Sequence, residues 1–112
     1  MANAYTQLYI QLVYAVKHRD RLIQSSFKDE LLKYTTGIIQ NKGNKLLAIN
    51  SMPDHVHLFF CLHPAISISD LVRDVKKHST DFINDKKWLR GKFNWQEGSV
   101  HFHIRIHKLI EW

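Results

Sequence analysis

Eight residues, His55-Val56-His57-Leu58-Phe59-Phe60-Cys61-Leu62, constrain the fold of this chain more than any other stretch. Side chains on a β-strand point to opposite faces with period two. As a strand, the run puts Val56, Leu58, Phe60 and Leu62 on one wholly apolar face, which has to be covered by other elements. The opposite face carries His55, His57, Phe59 and Cys61. Two imidazoles side by side at one end of a strand admit two readings. They are ordinary half-buried strand histidines, or they are a pair of metal ligands, because neutral imidazole offers a lone pair and the spacing aims both rings the same way. The preceding Met52-Pro53-Asp54 is turn chemistry. Proline fixes its own φ, and an aspartate side chain there can bond nearby backbone amides.

The rest of the chain supplies partners for that strand. Thr6 to Val16 alternates, with Leu8, Ile10, Leu12, Tyr14 and Val16 on one face, and reads as a first strand. Lys17, Arg19 and Arg21 follow in a polar connection, either a solvated loop or a phosphate contact. A helix opens near Ser26, where Asp29 three residues on resembles a capping box. Phe27, Leu31, Tyr34/Thr35, Ile38 and Ile39 form its buried stripe, and Gly43 is its C-cap. Lys45 to Ser51, with the apolar run Leu46 to Ile49, is a second strand, joined to His55–Leu62 as an antiparallel hairpin. His63 falls in the loop after that hairpin. Ser67 caps a second helix running to about Asn84, with Ile68, Leu71, Val72, Val75, Ser79, Phe82 and Ile83 on its inner side. Arg73, Lys76 and Lys77 mark another side of it, either a solvated basic face or a track for a phosphate backbone. Asp85 to Gly91 reads as a charged linker anchored by Trp88 and Leu89, and Phe93 to Gly98 as a fourth strand ending at the glycine. The order β-α-β-β-α-β is that of the ferredoxin-like α+β fold, an antiparallel sheet with both helices on one face.

Bulk properties narrow the class. A chain of 112 residues forms one domain with a modest core. A single cysteine forms no internal disulfide, and no secretory signal or membrane-length apolar run is visible, so a cytoplasmic protein is expected. A net charge of +6 favours an anionic partner, and nucleic acid is the usual one. No Gly-rich phosphate loop, Ser-His-Asp arrangement or Cys-rich zinc pattern is present, and nothing points to a small-molecule substrate.

The block Leu47-Ala48-Ile49-Asn50-Ser51-Met52-Pro53-Asp54-His55-Val56-His57-Leu58 resembles the signature of the single-tyrosine, IS200-like transposases. These are the His-hydrophobic-His (HUH) enzymes of small insertion sequences and their repeat-associated relatives. Ser67-Ile68-Ser69-Asp70-Leu71-Val72-Arg73 and Phe93-Asn94-Trp95-Gln96-Glu97-Gly98 resemble two further landmarks of that family, in the right order. The resemblance implies a HUH domain over residues 1–98, a homodimer whose sheets join edge to edge, and a single-stranded DNA hairpin as partner. It implies Mg²⁺ or Mn²⁺ held by His55, His57 and a third polar ligand. It also implies DNA transposition through a tyrosine that attacks a phosphodiester, giving a 5′-phosphotyrosine and freeing a 3′-OH.

The chain departs from that pattern after Gly98. Its four tyrosines, Tyr5, Tyr9, Tyr14 and Tyr34, all lie in the first third, and none matches the family's nucleophile position. No catalytic residue is therefore assigned, and the expectation is a truncated, inactive transposase domain. The alternative is a non-catalytic remnant that binds single-stranded DNA hairpins. Residues 99–112 are atypical, with His101, His103 and His107 alternating. Read one base out of frame, they permit a family-like continuation, so the tail is expected to be a frameshift product. It still alternates, and is expected to extend the fourth strand.

Overall fold

A computed structural model describes the backbone of residues 3–111 and the side chains of residues 8–97. The elements are β1 (Asn3–Val16), a short 3₁₀ turn (Lys17–Arg19), α1 (Ser25–Asn41), β2 (Lys45–Met52), β3 (His55–Leu62), α2 (Ile68–Lys86) and β4 (Trp95–Glu111). The strands form one antiparallel sheet in the order β2-β3-β1-β4. With two helices interleaved, this is the ferredoxin-like arrangement that the sequence pattern predicts.

The two faces of β3 behave as the alternation requires. Val56, Leu58, Phe60 and Leu62 are buried, together with Ile10, Leu12, Tyr14 and Val16 of β1. Leu31 and Ile39 of α1 and Leu71, Val75 and Ile83 of α2 close over them. Aromatic stacking ties the helices together: Tyr34 lies on Phe82 at 4.0 Å and Phe27 on Trp88 at 4.5 Å, each pair within 7° of parallel. The opposite face of the sheet carries His57, Gln11, Ala48 and Asn50 exposed and Phe59 and Cys61 half-buried. Cys61 therefore belongs to the open face and not to the core.

Several boundaries differ from the pattern reading, each for a local reason. α1 starts at Ser25 with Gln24 as its N-cap, and no side chain caps it, so the Ser26–Asp29 box does not form. α2 has the expected cap, Ser67 Oγ accepting from Asp70 N–H, but runs through Asp85 and Lys86 before a left-handed Lys87 stops it. The expected fourth strand starts two residues late. Asn84 holds Phe93 by both backbone groups, its Oδ1 accepting from Phe93 N–H (2.8 Å) and its Nδ2 donating to Phe93 O (3.2 Å). Phe93 is thereby drawn into the core and out of the ladder. The strand also does not end at Gly98. It continues to Glu111 and pairs with β1 as far as Asn3, so the tail extends β4 as expected.

β2 holds the least predictable feature. Leu46 faces Phe60 and Ile49 faces Leu58, both toward the core, although they are three residues apart. A β-bulge between Leu46 and Ala48 absorbs the extra residue, Leu47, which is left 42% exposed. The run of apolar residues hides this irregularity from any pattern reading. At the far end of β3, Gly43 takes a left-handed φ of +87° after α1, and a Cβ there would sit 2.9 Å from the His63 ring. His63 is a loop residue at the end away from His55, its Nδ1 accepting from Ala65 N–H at 3.1 Å.

Candidate functional site

The His55 end of β3 is assembled from three chain segments. Val16 N–H donates to Asp54 O (2.8 Å) and Ile23 N–H to Pro53 O (2.9 Å), which fastens the β2–β3 turn between the end of β1 and the entry to α1. Lys17 N–H donates to Asn94 O (3.0 Å) and His18 N–H to Gln96 Oε1 (3.0 Å), which brings in the start of β4. These contacts hold His18 (φ 60°) and Arg19 (φ 56°) in left-handed backbone. That conformation costs a residue with a Cβ about 1–2 kcal/mol. The strain aims Arg19 at Asp54, where its Nε donates to Oδ2 at 3.1 Å.

Asp54 joins Arg19 to the histidine pair. Its other oxygen, Oδ1, lies 2.5 Å from His55 Nδ1. That hydrogen bond, and then the Arg19 guanidinium, hold the Asp54 carboxyl below the usual carboxylate range. An ionised Asp54 can only accept, so His55 Nδ1 donates to it and Nε2 is the nitrogen turned outward for a ligand. A carboxylate behind an imidazole is the usual device for orienting a metal-binding histidine. The His55 and His57 rings lie 4.8 Å apart at 66°. Partial burial, and then the neighbouring His55, push the His57 imidazole down, toward the neutral state that ligation requires. Among the described residues, no His, Cys, Asp or Glu joins the pair to make a group of three. Among the described residues, the donor set at this end is therefore two imidazoles.

Turn chemistry alone placed Asp54 against backbone amides. Its side chain instead bonds Arg19 and His55, a role the sequence signals only through the adjacency of Asp54 and His55. The six cations singled out in the sequence are not equivalent. Arg19 is spent on Asp54, Arg73 pairs with Asp70 (3.0 Å), and Lys76 Nζ donates to Gln96 O (2.8 Å). Desolvation lowers the Lys76 pKa. Lys17, Arg21 and Lys77 are exposed and make no ion pair among the described residues. Gln96 links Lys76 of α2 to the turn carrying Lys17, while Lys77 borders a hollow with Asp81 and Glu97. Arg73 instead lines a hollow with Lys42 and Ser67 at the start of α2. Sequence reasoning passed over Lys87, Arg90 and Lys92, which border another hollow in the α2–β4 loop. The stacked Trp88 and the Asn84 clamp keep that loop in shape.

A ferredoxin-like sheet with a His-hydrophobic-His pair on its open face defines the class to which this chain is assigned. Residues 4–109 match the family model described as Transposase IS200 like, a match that runs well past Gly98, and the chain belongs to that family. Over 70 residues it is 31% identical to the ISDra2 transposase TnpA of Deinococcus radiodurans. That alignment covers 62% of this chain and 50% of the relative, so the chain spans about half the length of the curated protein it matches. A candidate transposase from Deinococcus radiodurans superposes with a TM-score of 0.77 at 26% identity, over 87% of this chain and 78% of that one. A REP-associated tyrosine transposase, solved bound to a REP hairpin, gives 0.62 at 18% identity over 88% and 56% of the two chains. The second likeness shows the shared fold alone.

Proposed function

We propose that the histidine end of the sheet is the site at which this domain engages a phosphodiester of single-stranded DNA, presented by a hairpin. The observation that carries this reading is the chain Arg19–Asp54–His55, which orients the His55 imidazole beside the exposed His57. Family membership supplies the chemistry: DNA strand cleavage and rejoining in transposition. Mg²⁺ or Mn²⁺ fits the site in part. His55 and His57 would hold it, and oxygen donors from phosphate or water would complete a shell that such cations prefer to build from oxygen. Bound there, the ion would supply Lewis acidity at the scissile phosphate. Lys17, Arg21 and Lys77 would meet flanking phosphates.

In this chain we favour binding over cleavage. Tyr14 is buried in the core, and burial pushes its phenol far above the usual range. Tyr34 is stacked on Phe82 between the helices. Tyr9 lies on the open face opposite Cys61, four residues along β3 from His57, or about 13 Å. Tyr5 starts farther along β1 in the same direction. Among the described side chains, no tyrosine supplies a nucleophile at the pair. The tail after Gly98 is read as out of frame, which the nucleotide sequence beyond the Trp95 codon tests directly. Dimerisation through a sheet edge is part of the same reading, and light scattering of the purified chain tests it. No helix among the described residues is long and apolar enough to cross a membrane.

The deciding experiment titrates the chain with Mn²⁺ and with a labelled DNA hairpin, then looks for a denaturant-resistant DNA adduct. Mn²⁺ binding lost in His55→Ala and in His57→Ala, with salt-sensitive hairpin binding and no adduct, is the expected result. Unchanged Mn²⁺ binding in both variants refutes the metal pair. An adduct refutes the non-catalytic reading.

A further inference from the structure

The open face holds, next to His57, a hollow of about 260 Å³. Strand register arranges its lining as a grid of two rows across three strands. Asn50, His57 and Val13 form one row, and Ala48, Phe59 and Gln11 form the next. In the row beyond, Tyr9 stacks on Phe59 with ring centroids 6.0 Å apart and planes 26° from parallel. The small side chains Val13 and Ala48 leave space beside the Phe59 ring. Two exposed amides stand at opposite corners of the grid. Asn50 Oδ1 already accepts from Ser51 N–H (2.8 Å), which leaves its NH₂ group to donate outward. Gln11 offers both a donor and an acceptor.

We propose that this hollow is a nucleobase pocket: it takes one unstacked base of single-stranded DNA, the base adjoining the phosphate held at His55 and His57. The proposal rests on the DNA-binding reading above and adds to it a protein element that reads a base. An aromatic floor with amides at its edge is what an unpaired base requires, because the floor meets its π-face and the amides meet its hydrogen-bonding edge. A base within a duplex has both faces stacked and its pairing edge occupied, so it cannot enter. Phe59 lies two residues from His57, about 7 Å along the strand, which is one nucleotide's reach from phosphate to base. Among the described residues no Lys or Arg lines this hollow, so the pocket adds recognition of the base to recognition of charge.

The test measures binding of the full chain to a short oligothymidylate and to the same oligomer with abasic positions, across a salt series. Stacking of one base predicts that Phe59→Ala weakens oligothymidylate binding about tenfold or more. Its salt slope should be unchanged, because the phosphate contacts remain. Abasic DNA should bind the wild type and the variant equally. Phe59→Leu, which keeps apolar bulk but removes the ring, should show the same selective loss. Gln11→Ala, at an exposed position, should alter the ranking among the four homopolymers. If the wild type binds DNA and both Phe59 variants bind equally well, the pocket is overturned and the DNA-binding reading stands. If the wild type binds no single-stranded DNA, both fall. If binding is restored to the Phe59 variants only when the chain dimerises, the face belongs to a second copy and the pocket is overturned.

Discussion

The two faces of the same sheet are built from the same strands and do opposite work. On the covered face, Leu58 is 2% exposed and Val56 1%, and each lies against helix side chains. On the open face, His57 and Asn50 stand in solvent beside a half-buried Phe59. Apolar burial is concentrated on the first face and exposed imidazole and amide groups on the second, and successive residues of β3 alternate between them. The difference shows how a small domain keeps polar, strained groups: it confines them to one face and one end of the sheet, where loss of packing costs least. It also separates the effects that substitutions should have.

The largest expected effect lies on the covered face. Leu58→Ala should cost about 2–5 kcal/mol of unfolding free energy. His57→Ala, one residue away, should change stability by less than about 0.5 kcal/mol, as expected for a surface substitution. Denaturant titration of the two variants checks this, and similar losses would end the division between faces. Next comes the carboxylate behind the pair. Asp54→Ala should weaken Mn²⁺ binding about 10–100-fold, the usual effect of removing such a partner, while the chain stays folded. Calorimetric titration reads the affinity, and an unchanged value would make Asp54 a turn residue only.

A smaller effect is expected at the opposite end of the hairpin. Gly43→Ala combines a left-handed φ with a close approach to the His63 ring, and should cost about 1 kcal/mol or more in thermal unfolding. DNA and Mn²⁺ binding should be untouched there. The smallest effect belongs to Tyr14. Its buried hydroxyl lies near Thr35, whose Oγ1 donates to Leu31 O (2.9 Å), but makes no well-formed hydrogen bond of its own among the described residues. Tyr14→Phe should therefore be neutral or stabilising by up to about 1 kcal/mol. A clear loss of stability would show that the hydroxyl is satisfied after all.

Much of this organisation is legible in the sequence because it rests on period and spacing. The alternation in β3 and β1 gives the strands, the covered face and the direction of the histidines. Ser67 and the apolar stripe after it give α2. What stays hidden depends on contacts between distant residues. Asp54 shows as a turn former because its partner Arg19 lies 35 residues away. Lys76 shows as a free cation because its acceptor, Gln96 O, is reached only across the fold. Phe93 shows as a strand residue because nothing local signals the Asn84 clamp. The hollow beside His57 needs three strands in register, so no single stretch of sequence contains it.

The bulge at Leu47 has a consequence for chain length. Leu46 pairs with Phe60 and Ala48 with the next residue, Phe59, so Leu47 is surplus to the ladder. Deleting it would leave a regular strand, with Asn50 still beside His57 and Ile49 still inward. Deleting Ile49 instead would shift the strand on one side of the gap by one place and turn its side chains to the wrong face. β2 thus carries one residue of slack, placed upstream of the positions that flank His57. A codon lost at Leu47 can be taken up there, while the same loss two residues later would shift the positions that flank His57.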